Sequence, residues 1–326
     1  MPKLVTIFGG SGFVGRYIAR RMAKAGWRVR VAVRRPNEAI FVRTYGVVGQ
    51  VEPVFANIRD DASTLAALLG ADAVVNCVGT FDRWGKNNFD AVQAEAAGRI
   101  AKLAAAERVS RLVHISAIGA DKNSESLYQQ TKAEGEKAIK RHFPNAVILR
   151  PSVIFGNEDQ FFNRFASMAK MMPILPLMGA DTKFQPVYVD DVAAAAEAGI
   201  NGAAAGVYEL GGPDVASFKE LMEKMLHITR RKRFVVNMPN FVAKIMAFKL
   251  DLLGRISLGL FTNQILTGDQ VKSLDHDNVV APRAKGFKAL GITPTDMDAV
   301  LPEYLYAHRP KGQFTELAES ATGLKS

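Results

Sequence analysis

Tyr128 and Lys132 stand four residues apart in SLYQQTKAEGE, a segment that reads as helix. At that spacing two side chains share one helix face, a turn apart. A lysine beside a phenol favours the phenolate and can hold a ribose hydroxyl, so a tyrosine there can donate a proton near neutral pH. The pattern Y-x-x-x-K is common by chance. Its weight comes from the elements upstream of it.

The first of those elements is LVTIFGGSGFVG, residues 4–15, where an apolar run leads into Gly9, Gly12 and Gly15. A run of this kind is a strand buried on both faces. The glycines let the backbone turn tightly and approach a pyrophosphate. The segment from Val14 to Ala25 has Val14, Ile18 and Met22 on one stripe, so a helix starts at the loop and points its free N–H groups at the anion. A glycine triplet alone says little; one set between strand and helix predicts a dinucleotide.

The next strand ends RVRVAVRRP. In dinucleotide-binding folds an acidic residue at this place holds the 2′-hydroxyl of NAD. Arg34 and Arg35 occupy it here, and guanidiniums suit a 2′-phosphate, which predicts NADP(H). Arg16 is a third candidate.

These groups need a scaffold, and the chain supplies a regular one. Strands are expected at 3–8, 28–33, 50–55, 72–77, 111–116 and 145–150, with helices near 13–25, 61–69, 88–107 and 125–142. Strand–helix alternation implies right-handed crossovers and an α/β, doubly wound parallel sheet covered on both faces, a Rossmann fold. Residues 1–150 form this domain, completed by a strand–helix–strand unit over about 183–212. Prolines break the rest into shorter pieces, so 151–182 and 213–308 read as a smaller mixed C-terminal lobe and 309–326 as a polar tail.

Composition narrows the function. The chain has 326 residues, 48% of them hydrophobic, and a net charge of +10. Residues 1–37 carry nine Lys/Arg and no acid, and residues 224–255 carry eight Lys/Arg against one Asp, so the remainder is net −6. Basicity confined to two places argues for docking surfaces, and no nucleic-acid-binding signature accompanies it. One cysteine, Cys77, permits no internal disulfide and reads as a buried strand thiol. No apolar stretch is long enough to span a bilayer, and neither a signal peptide nor a transit peptide precedes the first strand. The five histidines lack metal-ligand spacing, Asp190 and Asp191 read as caps of the helix after PVYV, and no hydrolase nucleophile motif occurs.

GGSGFVG, the NCVG turn at 76–79, YQQTK and the RPSVIFG turn at 150–156 resemble the extended and atypical short-chain dehydrogenase/reductase superfamily. Within it, VHISAIGAD, YQQTKAEGEKAI and RPSVIFGNEDQFFNRF resemble the nucleotide-binding accessory subunits of respiratory complex I, the NADH:ubiquinone oxidoreductase, of alphaproteobacterial type. The likeness covers most of residues 1–270. It implies that Gly9, Gly12, Phe13, Val14 and Gly15 contact the pyrophosphate and that Asn57 and Ile58 lie by the adenine. It places Val78, Gly79 and Pro151 along the cofactor and Lys132 on the nicotinamide ribose.

Two departures qualify it. Active relatives have Ser or Thr shortly after the fifth strand to orient a substrate; here HIS is followed by Ala117, Ile118 and Gly119. Ser116 comes a position or two early and suits the cofactor better than a substrate. Losing that hydroxyl would commonly remove several kcal/mol of transition-state stabilisation. Asn57 also stands where relatives often have Asp.

The second basic region holds FVAKIMAFKLDLLGRI, residues 241–256, which fits one helix with a wide apolar arc and cationic edges, downstream of Arg230, Arg231, Lys232 and Arg233. Such an arc suits an anionic bilayer surface or a partner groove, or simply the core of the small lobe.

Two functions follow. The first is a non-catalytic subunit that holds NADP(H), more specifically NADPH, and stabilises the peripheral arm of complex I near the membrane, with contact through 230–256. It would sit on the cytoplasmic face of a bacterial inner membrane, or on the matrix side in mitochondria. The second is an active NADP(H)-dependent reductase or epimerase of a small carbonyl compound or nucleotide sugar, with Tyr128 and Lys132 catalytic.

Overall fold

A computed structural model of the chain describes residues 2–238 and 268–314. They form two compact units, the first made of 2–152, 189–211 and 280–294, the second of 153–188, 212–238, 268–279 and 295–314.

The first unit is the alternating one. Its elements are β1 (Leu4–Phe8), α1 (Phe13–Lys24), β2 (Arg28–Val33), β3 (Val51–Phe55), α2 (Asp61–Leu68), β4 (Ala73–Asn76), α3 (Ala96–Ala106), β5 (Arg111–Ile115), α4 (Leu127–His142) and β6 (Val147–Pro151). The chain returns to it with α6 (Val189–Ile200) and β11 (Gly206–Leu210). Seven strands pair in the order β11-β6-β5-β4-β1-β2-β3, every pair parallel. The order reverses between β1 and β4. At such a reversal the connections leave in opposite directions and open a crevice at the carboxyl ends of the strands.

Both faces are covered, which explains the continuous apolar strands. On one face Leu68, Ile100 and Ile139 pack on Phe8, Val74, Leu112 and Ile148. On the other, α1 lies along α6, fastened by Arg21, whose Nε and Nη2 reach Asp190 at 2.9 and 2.7 Å. Asp190, expected as a cap, therefore stands in the first turn of α6 and spends both oxygens on an arginine.

Three local features differ from the sequence expectation. Residues Pro36–Tyr45 wind as a 3-10 helix begun by a proline in its first turn, where a missing N–H costs nothing. The helix expected from 88 begins as a π-helical turn, Asp90–Glu95. Residues 280–294, expected in the smaller lobe, pack with the first unit: Glu209 accepts from the Ala281 N–H at 2.9 Å and donates its own N–H to the Lys285 carbonyl at 2.8 Å.

The second unit contains β7 (Ile154–Phe155), α5 (Phe162–Met171), β8 (Ile174–Leu177), β9 (Lys183–Phe184), β10 (Val187–Tyr188), β12 (Ala216–Ser217), α7 (Phe218–Ile228) and β13 (Phe234–Asn237). The helix Met297–Leu305 closes over its core of Phe162, Leu175, Met222 and Leu301. Of the basic run, Arg231 and Arg233 donate to the main-chain carbonyls of His308 and Ala169 at 2.8 Å each. The amphipathic segment 241–256 and most of the tail lie outside the described residues.

Candidate functional site

Because every strand of the main sheet runs the same way, the segments that follow them meet at one edge. The glycine loop follows β1, Arg34 and Arg35 follow β2, Asn57 and Ile58 follow β3, Val78 and Gly79 follow β4, and Ser116 follows β5. Pro151 ends β6. The residues singled out by chemistry are thus gathered at the carboxyl edge, on both sides of the reversal.

The loop geometry is that of an anion cradle. Gly9 has φ +75°, in the left-handed region, and a Cβ there would sit 3.2 Å from Val78 Cγ2. Gly15 is the tighter position: a Cβ would lie 2.3 Å from the Gly9 carbonyl oxygen and 2.7 Å from Gly10 Cα, so only glycine lets the first turn of α1 lie against the loop. Gly12 caps α1 with no side-chain acceptor, and no acid stands in the first turn. Phe13 and Val14 begin the helix, and its open N–H groups face outward for an anion. Arg16 bonds back onto the loop, to the Ser11 carbonyl at 3.2 Å, and stacks 5.2 Å from the Phe41 ring centre.

Beyond β2, where the adenosine is expected, Arg35 pairs with Glu38 at 3.0 Å, both largely in solvent. Arg34 is exposed and makes no ion pair among the described residues, so it is the freer of the two for a phosphate. Asn57 shapes its own loop, its Oδ1 accepting from the Arg59 N–H at 3.2 Å and its N–H reaching Ser63 Oγ at 2.9 Å. Ile58 is buried beside it.

On the nicotinamide side, the Lys132 ammonium is buried, 5.8 Å from the Tyr128 ring centre and within hydrogen-bond reach of the Ile115 carbonyl at 3.2 Å. It lies 3.9 Å from where a Cβ on Gly79 would stand. Burial lowers Lys132 to about 8, against the raising influence of Glu136 and Cys77. Cys77, expected as a buried strand thiol, instead stands just past the end of β4 and is half-buried; desolvation pushes its thiol up to about 12, so it is protonated. The Tyr128 ring is stacked on Phe81 at 5.4 Å and edge-on to Phe89 at 5.9 Å. Pro151 accepts from the Ile118 N–H at 3.0 Å, which draws the turn after β5 against the end of β6.

Ser116 is buried and its hydroxyl donates to Glu136 Oε1 at 2.6 Å. Glu136 in turn takes a forked pair from Arg150, Nε to Oε1 and Nη2 to Oε2, each 2.7 Å. Arg150 also reaches Glu209 at 3.5 Å. The hydroxyl expected at the cofactor is therefore engaged in a buried charge network. Sequence reading missed Glu136, which in KAEGEK looks like part of a solvated helix face. The signal was Arg150: a charge inside the apolar strand VILRP requires a buried counter-charge. His114, one of the histidines read as structural or exposed, is fully buried in β5 with neither ring nitrogen hydrogen-bonded among the described residues; burial and Lys132 lower it to about 3, which keeps it neutral.

The site fits a nicotinamide dinucleotide: a loop no side chain could enter, an uncapped helix start, and a lysine–tyrosine pair at the far end. Residues 5–211 match the NAD dependent epimerase/dehydratase family. The chain belongs to that family. More specifically, it is 34% identical over 316 residues to the mitochondrial NADH dehydrogenase (ubiquinone) 1 alpha subcomplex subunit 9 of Arabidopsis thaliana, covering 95% of this chain and 79% of that one. It is 33% identical to the mitochondrial NADH-ubiquinone oxidoreductase 40 kDa subunit of Neurospora crassa, covering 95% and 80%. These relatives are subunits of mitochondrial complex I, and the resemblance read from the sequence holds. Among solved structures, an NADPH-dependent quinone oxidoreductase of Escherichia coli complexed with NADPH superposes with a TM-score of 0.69 at 19% identity, covering 92% and 98%, which bears out the fold.

Proposed function

We propose that this chain is an accessory subunit of respiratory complex I that holds NADP(H) as part of its structure and does not turn it over. The observation that carries the non-catalytic reading is the Ser116–Glu136 hydrogen bond of 2.6 Å. It commits the hydroxyl nearest the reacting end, and Ala117, Ile118 and Gly119 beyond it offer none. A carbonyl placed beside Tyr128 would lack the second donor that polarises it.

The chain's residues suit binding. The backbone N–H groups of Phe13, Val14 and Gly15 receive the pyrophosphate, Arg34 with Arg35 receives the 2′-phosphate, and Asn57 and Ile58 flank the adenine. Val78 and Gly79 line the middle, and Lys132 donates to the nicotinamide ribose. When bound, the nicotinamide supplies hydride chemistry, and Tyr128 is the proton donor this fold would pair with it. A retained ligand stabilises the fold by mass action, about 3–4 kcal/mol at a hundred to a thousand times its dissociation constant.

The assignment to complex I is supported by the relatives, whose similarity runs through both units. No described helix is long and apolar enough to cross a membrane, which agrees with a peripheral position on the arm facing the cytoplasm or matrix. The test is purification of complex I in gentle detergent from native membranes. The chain is expected to co-purify in stoichiometric amount with bound NADPH; complex I lacking the chain would exclude this reading.

A further inference from the structure

Between the 3-10 helix and β3 the chain makes the turn Gly46-Val47-Val48-Gly49-Gln50. The turn is built to hold apolar side chains in water. Val47 and Val48 are 74 and 105% exposed, with Ile40 and Phe41 of the 3-10 helix also at the surface. Gln50 fastens the turn from beneath: its Nε2 donates to the carbonyls of Ala23 and Trp27 at 2.6 and 3.0 Å, and its Oε1 accepts from the Val47 N–H at 2.9 Å. The Gln50 N–H closes the turn on the Val47 carbonyl at 3.0 Å, with Gly49 at φ +77°. A half-buried amide with its donors satisfied fixes the turn; β-branched valines fix their own rotamers. The charge around it is mainly positive. Residues 16–50 carry nine Lys/Arg against Glu38 alone; Arg21 is ion-paired with Asp190 and Glu197, Arg35 with Glu38 and Arg43 with Glu52. Lys24 and Arg28, next to the carbonyls that hold Gln50, are exposed and make no ion pair among the described residues.

We infer that this face is a docking surface for a partner polypeptide that offers a pocket for two branched aliphatic side chains, rimmed by carboxylates. The inference rests on the subunit reading, since it needs a resident partner. Rigid knobs lose little entropy on insertion into a shaped pocket. A bilayer gains nothing from that rigidity and favours long or aromatic side chains at its interface. A second copy of the same face would bring like charges together.

The test returns the purified full chain to membranes of its source cell from which its gene has been deleted. After gentle solubilisation, its co-sedimentation with complex I is measured. Val47→Ser with Val48→Ser, and separately Lys24→Glu with Arg28→Glu, are each expected to reduce incorporation about tenfold or more, as loss of a buried anchor or its charge partner does. NADPH affinity of each variant, measured by fluorescence, reports that the fold is intact, and Met171→Ser, at an exposed position of the second unit, is expected to incorporate like wild type. Incorporation of the serine variant at the wild-type level overturns the proposal. Failure of the wild type itself, alike for every variant, removes the subunit reading and this surface with it. Wild type retained by phosphatidylglycerol vesicles, with the serine variant released, would make the face a membrane contact and overturn a protein partner.

Discussion

Ser116 Oγ and Glu136 Oε1 are 2.6 Å apart in the buried layer between β5 and α4, so the hydroxyl that follows β5 donates to a carboxylate of the helix. Hydrogen bonds to buried charged groups contribute about 1.5–3 kcal/mol. Ser116→Ala is expected to lower unfolding free energy by about that amount, read by urea denaturation. NADPH affinity should change by less than about threefold, because Glu136 keeps its forked pair with Arg150.

Lys132 has a lowered pKa, about 8, because it is buried, while the ribose contact proposed for it needs the protonated, donating form. Below that value the ammonium is already present; above it, binding must take up a proton. NADPH affinity is therefore expected to fall as pH rises through about 8. Lys132→Met should bind weakly at all pH values and lose the dependence. Titration calorimetry in buffers of different ionisation heat checks the proton uptake directly.

His114 is neutral in the fold, with its pKa depressed to about 3. An unfolded histidine titrates near 6.5. The stability this group contributes is present above the unfolded value and is lost as pH falls toward the folded one. His114→Leu is expected to flatten the acid limb of the stability curve between those values. It should also leave stability at neutral pH unchanged or raise it by about 1 kcal/mol, since neither nitrogen has a partner to lose. Thermal melts across pH decide it.

Arg35 shares its charge with Glu38, whereas Arg34 makes no ion pair among the described residues. Arg34→Ala is expected to weaken NADPH about tenfold or more while leaving NADH within about twofold, the loss of one charged phosphate contact. Arg35→Ala should show the smaller effect. Equal losses for both cofactors would remove the arginines from the 2′-phosphate.

The scaffold was legible because a parallel sheet buried on both faces writes itself as apolar runs such as LVTIF and AVVN, each followed by a turn residue with a visible job. Gly9 and Gly15 were readable for the same reason: their requirement is geometric and local. Glu136 was not, because its partner Arg150 is 14 residues away and only the fold brings them together. The 3-10 segment Pro36–Tyr45 buries only Ala39 and Val42, too short an apolar pattern to read, and is completed by Arg16 against Phe41 and Arg20 against Tyr45, contacts between neighbouring elements. The packing of 280–294 on the first unit uses one side-chain and one main-chain hydrogen bond of Glu209 and has no sequence signature.

A dinucleotide held without turnover keeps its absorbance, so the fate of bound NADPH in the purified chain decides between subunit and enzyme. The absorbance is followed while aldehydes, ketones and short-chain quinones are offered in excess. A constant signal is expected, unchanged in the Tyr128→Phe variant. Steady oxidation of NADPH that Tyr128→Phe abolishes would contradict it and make this chain a reductase.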